Sequence, residues 1–169
     1  NNIYGETFKL PEPYIPKVGA RIMSLVNPTS KMSKSDPHGC VFLLDSPEEI
    51  NRKFKRAITD SDTENCVRYA PGEKPGVANL ISIYSSVSGK SFEEIEKEFQ
   101  GKGYGAFKSA VGEAVIEALR PVREEAQRIM ADKAYLQQVY TQGAQKASYV
   151  ARKTLRKVYK RVGFVEKPF

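Results

Sequence analysis

Between Phe107 and Leu119 the apolar residues fall at Phe107, Ala110, Val111, Ala114, Val115, Ala118 and Leu119. A recurrence of three and four positions lines one side of an α-helix, because each helical residue turns about 100° from the last. A stripe of that length must be covered by other elements, so it commits the chain to a helical body. The same period recurs at Val77, Leu80, Ile81 and Tyr84, and again at Ala147, Ala151, Leu155, Val158 and Val162. Period-two alternation is confined to short pieces near the start. The expected class is therefore mainly α, with a mixed, proline-rich opening.

Local signals place the helix ends. Ser46-Pro47-Glu48-Glu49 combines an N-cap serine, a first-turn proline and a glutamate three residues after the cap, opening a helix expected to reach Ala57. Gly76 to Val87 reads as a helix stopped by Gly89, and Ser91-Phe92-Glu93-Glu94 opens another. Gly101-Lys102-Gly103-Tyr104-Gly105 is a glycine-rich link without the spacing of a nucleoside-triphosphatase phosphate loop. Pro121 lies inside the long stripe and predicts a kink. The last helix is expected over Lys133 to Val162. Before Ser46, Glu6 to Leu10 alternates like a short strand, and Pro11, Pro13 and Pro16 interrupt regular structure. Gly19 to Val26 reads as a strand end or turn, Val41 to Leu44 as a buried strand or turn, Thr59 to Asp62 as a polar loop, and Cys66 to Tyr69 as a short extended piece.

The formal net charge is +7, and it is uneven. From Lys146 onward come Lys146, Arg152, Lys153, Arg156, Lys157, Lys160, Arg161 and Lys167 against only Glu166. Lys153, Arg156, Lys157 and Lys160 fall on the side of the last helix opposite its apolar stripe. A cationic face of this kind attracts polyanions, nucleic acid foremost, and a merely solvated face has the same composition. Cys40 and Cys66 stand far apart and read as two reduced thiols. His38 is the sole histidine, so no Ser–His–Asp set or metal cluster can be assembled. No window approaches a membrane span and no secretory pattern opens the chain. The start at Asn1-Asn2-Ile3-Tyr4, without an initiator Met, leads us to expect a fragment.

Lys31-Met32-Ser33-Lys34-Ser35 puts two ammonium groups and two hydroxyls on one loop. Two flexible cations can follow a phosphate through a change of geometry, while hydroxyls and backbone N–H groups add shorter contacts. An ordinary solvated loop has the same residue types.

Gly19-Ala20-Arg21-Ile22-Met23-Ser24-Leu25 followed by Lys31-Met32-Ser33-Lys34-Ser35-Asp36 resembles the signature loop of the class I aminoacyl-tRNA synthetases. The likeness is closest to the carboxyl-terminal half of the bacterial-type tryptophanyl-tRNA synthetase family. It continues through Thr59-Asp60-Ser61, Lys74-Pro75-Gly76, Leu80 to Gly89, Gly101 to Gly105, and Leu119-Arg120-Pro121. The resemblance implies the tail of a Rossmann-type nucleotide-binding domain over residues 1–38, a helical tRNA-side domain over 39–132, and a basic amphipathic helix over 133–169.

The implied activity is ligation. Tryptophan and ATP give the aminoacyl-adenylate, and the tryptophanyl group then passes to its tRNA. Lys31 and Lys34 match the catalytic loop lysines; Ile22, Lys31, Met32, Ser33, Lys34 and Ser35 match the ATP-binding stretch. Mg²⁺ is expected to arrive with ATP, with no metal ligands from the protein. Lys146, Arg152, Lys153, Arg156, Lys157, Lys160 and Arg161 are the expected tRNA-facing cations, with Tyr149 and Tyr159 as stacking or packing residues. A cytoplasmic homodimer with neither DNA nor membrane as a partner is implied.

The family's His-containing motif and upstream βαβ unit are absent from this sequence, and Pro37-His38-Gly39-Cys40 departs from the expected polar stretch. The chain alone is therefore expected not to form adenylate, and Tyr14, Ile15, Val18, Ile22, Met23, Leu25 and Val26 are expected to lack cover. The alternatives are a stand-alone helical RNA-binding module and a tyrosine-specific relative.

Overall fold

The computed structural model describes residues 1–16, 19–62 and 67–165. Val18, Cys66, Glu166 and Lys167 lie outside these residues. Five α-helices are present among them: α1 (Pro47–Lys55), α2 (Pro75–Ser88), α3 (Phe92–Glu98), α4 (Tyr104–Ala131) and α5 (Lys133–Val162). The only β pairing among the described residues is an isolated antiparallel bridge between Met23 and Lys31. The fold is mainly α.

The caps act as their residue types require. Ser46 and Ser91 each accept from the backbone N–H three residues on, and Glu49 and Glu94 reach back to the cap N–H groups. Gly89 and Gly163 end α2 and α5 in the left-handed conformation, at φ 75° and 78°. Helix α4 runs on through Pro121 to Ala131.

The chain divides into two compact units, Ile15–Ala126 and a second built from Asn1–Tyr14 with Gln127–Phe169. The core belongs to the first. Ile50 and Phe54 from α1, Val77, Leu80 and Ile81 from α2, Ile95 from α3, and Phe107 and Val111 from α4 are all buried. Tyr84, Phe99 and Phe107 meet edge to face, with centroids 5.0–6.4 Å apart. Gly112 lets α4 lie close to α1: a Cβ there would stand 2.9 Å from Asn51 Oδ1.

In the second unit α5 has no buried residue. Arg161 Nη1 donates to Tyr4 O at 2.7 Å, tying the helix to the opening turn. The strand expected over Glu6–Leu10 does not form. A strand needs a partner ladder, and here the Asn1 side chain takes its place: Oδ1 accepts from Thr7 and Phe8 N–H, and Nδ2 donates to Phe8 O. Of the buried strand or turn expected over Val41–Leu44, the turn forms, at Leu43 and Leu44, and Phe42, Leu43 and Leu44 are exposed.

Candidate functional site: a phosphate-loop hairpin

The Lys31–Ser35 segment is one arm of a tight hairpin within the first unit. Met32 N–H donates to Ile22 O at 3.0 Å, and Ser24 N–H to Ser30 O at 2.9 Å. Asn27 closes the turn: its Oδ1 accepts from Thr29 N–H and Oγ1, and its carbonyl accepts from Ser30 N–H. The arms are sided. Ile22 and Met32 pack against the hydrophobic core, whereas Lys31, Ser33, Lys34 and Ser35 are exposed. Met32 thus works as an apolar peg that leaves both cations facing water. Of the patch expected to lack cover, Leu25 is 2% exposed and part of the core, and Ile22, Met23 and Val26 are half-buried. Tyr14 and Ile15 remain exposed.

Behind the cations the loop folds back on itself. Ser33 O accepts from Asp36 N–H, and Ser33 Oγ from Ser35 N–H. The Ser35 and Asp36 amides are thereby occupied within the loop. The loop's exit is fixed by Ser24 and Asp36. Ser24 Oγ accepts from Val26 and Asn27 N–H and donates to Asp36 Oδ2, while Asp36 Oδ1 accepts from Gly39 N–H. Gly39 leaves no room for a side chain: a Cβ there would collide with Ser24 Oγ and stand 2.5 Å from Asp36 Oδ2. Leu25 then receives Ile58 N–H on its carbonyl at 2.8 Å. His38 is exposed beside the loop's exit.

Two buried polar groups of the same unit, Asn79 beneath this hairpin and Lys74 apart from it, had roles that sequence reasoning missed. Asn79, on α2, is 6% exposed and makes a reciprocal pair with the Met23 peptide: Met23 N–H to Oδ1 at 2.9 Å, and Nδ2 to Met23 O at 2.9 Å. The signal available was an amide among Val77, Ala78, Leu80 and Ile81, an apolar setting in which it needs a partner.

Lys74, 5% exposed, directs Nζ at Asp60 Oδ1 (3.0 Å), Asp62 Oδ2 (2.7 Å) and Tyr104 Oη (3.1 Å). Burial opposes the Lys74 charge, but the hydrogen bonds it donates to Asp62, Tyr104 and Asp60 outweigh it and hold its pKa above the ordinary value. Burial likewise opposes the Asp60 carboxylate, yet hydrogen bonds from Tyr104, the Asp62 backbone and Lys74 bring it down to about 2. Burial and Asp60 push Tyr104 up to about 12. Thr59-Asp60-Ser61, Lys74-Pro75-Gly76 and the glycine-rich link at Tyr104 thus meet at one ion cluster. Gly76 allows it, since a Cβ there would strike the Ile58 carbonyl.

The expected tRNA-facing cations all lie on α5, in the other unit. Lys146, Arg152, Lys153, Arg156, Lys157, Lys160 and Arg161 are exposed, and Arg161 is the one tied to Tyr4. Tyr149 is exposed; Tyr159 is half-buried and meets Phe164 edge to face. Among the described residues no three His, Cys, Asp or Glu side chains gather to hold a metal ion, and no helix is long and apolar enough to cross a membrane.

The model for tRNA synthetases class I (W and Y) matches residues 1–120, which include the whole hairpin and the ion cluster. The chain belongs to this family. A tryptophan–tRNA ligase of Clostridium tetani is 52% identical over 98% of this chain and 48% of its own length. One from Wolinella succinogenes is also 52% identical, over 98% of this chain and 50% of its own. This synthetase-family chain spans about half the length of the curated relatives it matches. Among solved structures, the tryptophanyl-tRNA synthetase of Mycoplasma pneumoniae matches with TM-score 0.75 and 28% identity over 89% of this chain and 47% of its own. That of Campylobacter jejuni, solved with ADP and tryptophan, matches with TM-score 0.64 and 25% identity over 97% of this chain and 50% of its own.

Proposed function

We propose that this chain provides the ATP-phosphate loop and the tRNA-side helices of a tryptophan–tRNA ligase. The observation that carries the reading is the sided hairpin, in which Met32 is pegged into the core and Lys31 and Lys34 face solvent. The relatives named tryptophan–tRNA ligase favour tryptophan as the amino acid.

In the first step a tryptophan carboxylate oxygen attacks the α-phosphorus of ATP, which enters as its magnesium complex. The bond from the α-phosphorus to the bridging oxygen breaks, and pyrophosphate leaves. Charge grows on the β- and γ-phosphates, and the Lys31 and Lys34 ammonium groups balance it. The exposed Ser33 and Ser35 hydroxyls donate to phosphate oxygens, and the Ile22 backbone lies alongside the adenine. Neither lysine exchanges a proton in this step; both act by position and charge. The stretch 1–38 then closes the nucleotide-binding domain, and 39–132 and 133–169 face tRNA. Exposed cations of α5 contact its phosphates, and the tryptophanyl group passes to the terminal ribose. The working enzyme is a cytoplasmic homodimer.

The test is ATP–pyrophosphate exchange by the whole protein, with tryptophan or tyrosine as the only amino acid. Exchange that depends on tryptophan and collapses in Lys31→Ala/Lys34→Ala is the expected result. Exchange driven by tyrosine, or undiminished in the double variant, would overturn the reading.

A further inference from the structure

We infer that Asn79 is a positioning residue for the phosphate loop, acting from helix α2 through the Met23 peptide. The inference rests on the reading of Lys31 and Lys34 given above.

Met23 is the residue bridged to Lys31, and the hydrogen bonds that close the hairpin lie on either side of it, at Ile22–Met32 and Ser24–Ser30. The N–H and C=O of Met23 point away from that ladder, and both are taken by the Asn79 carboxamide at 2.9 Å. A carboxamide is the smallest neutral side chain that offers one acceptor and one donor in a plane, as a backbone ladder would. Asn79 therefore serves the hairpin as a one-residue neighbouring strand. It is 6% exposed and sits on a helix whose Val77, Leu80 and Ile81 are buried core residues, so its own position is fixed. The register of Met23 fixes that of Lys31, and with it the height at which the Lys31–Lys34 segment leaves the protein surface. Preorganised cations stabilise developing charge only when held near the productive geometry.

A side chain that only held the core together would change stability and leave the chemistry of the folded enzyme alone. A positioning residue lowers the rate of folded enzyme and does so through the lysines. The experiment is tryptophan-dependent ATP–pyrophosphate exchange by the whole protein, each variant assayed well below its own melting temperature. Asn79→Leu keeps the side-chain size and removes both hydrogen bonds. It is expected to lower kcat at least 10-fold while the KM for tryptophan stays within twofold. In a double-mutant cycle, Lys31→Ala is expected to cost a smaller factor in the Asn79→Leu background than in the wild type.

A kcat loss of less than 10-fold, or a Lys31→Ala factor that is large in the wild type and equal in the Asn79→Leu background, would overturn the inference. Should Asn79→Leu not fold, Asn79→Asp keeps the acceptor for Met23 N–H, loses the donor, and is judged by the same two readouts. If Lys31→Ala has no effect in the wild type, it is the loop assignment that fails, which separates the two claims.

Discussion

Replacing Lys74 by Met removes one ammonium from beneath two carboxylates. Asp60 and Asp62 lose their cation, and Tyr104 loses one hydrogen-bond partner. Breaking a buried pair by removing one partner costs about 3–5 kcal/mol, because the other charge stays buried. The Asp62 side chain is 39% exposed and turns to water, so the cost falls at the lower end, about 3 kcal/mol at pH 7.

The pH dependence makes the cause visible. In the wild type Asp60 titrates at about 2 against an ordinary 3.8. That depression contributes about 2 kcal/mol above the ordinary value, lost only as pH falls from 3.8 through 2. The Lys74 shift is upward, so its contribution is complete at neutral pH and is lost only in alkali beyond 10.5. In Lys74→Met the Asp60 carboxylate keeps its hydrogen bonds from Tyr104 and the Asp62 N–H and loses only the ammonium, so its pKa rises from about 2 towards the ordinary value. It then takes up a proton at a pH where the wild-type carboxyl is still ionised. Urea unfolding of the two proteins should therefore show a gap of about 3 kcal/mol at pH 7 that holds down to about pH 4 and narrows as pH falls further towards 2. A gap below about 1 kcal/mol at pH 7, or one independent of pH, would refute the assignment of this cluster as a buried ionic tie.

Other outcomes follow from the same geometry. Gly39→Ala forces a Cβ into Ser24 Oγ and Asp36 Oδ2, and should cost roughly 2 kcal/mol or more of stability, read by urea titration. Ser46→Ala deletes the α1 cap and should cost about 1 kcal/mol by the same measurement. Changing Lys153, Arg156, Lys157 and Lys160 together to Ala should weaken tRNA binding and flatten its salt dependence, by about 0.7–0.9 in log–log slope for each phosphate no longer neutralised. An unchanged slope in a filter-binding series would remove α5 from the tRNA surface.

What was legible in the sequence was local. The capping boxes at Ser46 and Ser91, the stop at Gly89, and the α5 bounds from Lys133 to Val162 each depend on residues within a few positions of one another. The loop was legible as a string of residue types, but not the inward turn of Met32, which depends on a core assembled from α1 to α4. Asn79 and Met23 stand 56 positions apart, and Lys74 joins residues 14 and 30 positions away. Pairings at that separation have no local signature. The expected strand at Glu6–Leu10 failed for the complementary reason: alternation describes a face, but without a neighbouring strand the backbone found the Asn1 carboxamide instead.

The role proposed for Lys31 and Lys34 is to balance charge that grows as pyrophosphate leaves. Single-turnover adenylate formation by the whole protein, with wild type and Lys31→Ala/Lys34→Ala compared at saturating tryptophan, separates that step from binding. Two charged hydrogen bonds of about 1.5–3 kcal/mol each predict a rate loss of roughly 10²–10⁴, with ATP affinity weakened by about 10-fold at most. A double variant that forms adenylate at the wild-type rate once ATP is saturating would contradict that role and place the lysines in ground-state binding alone.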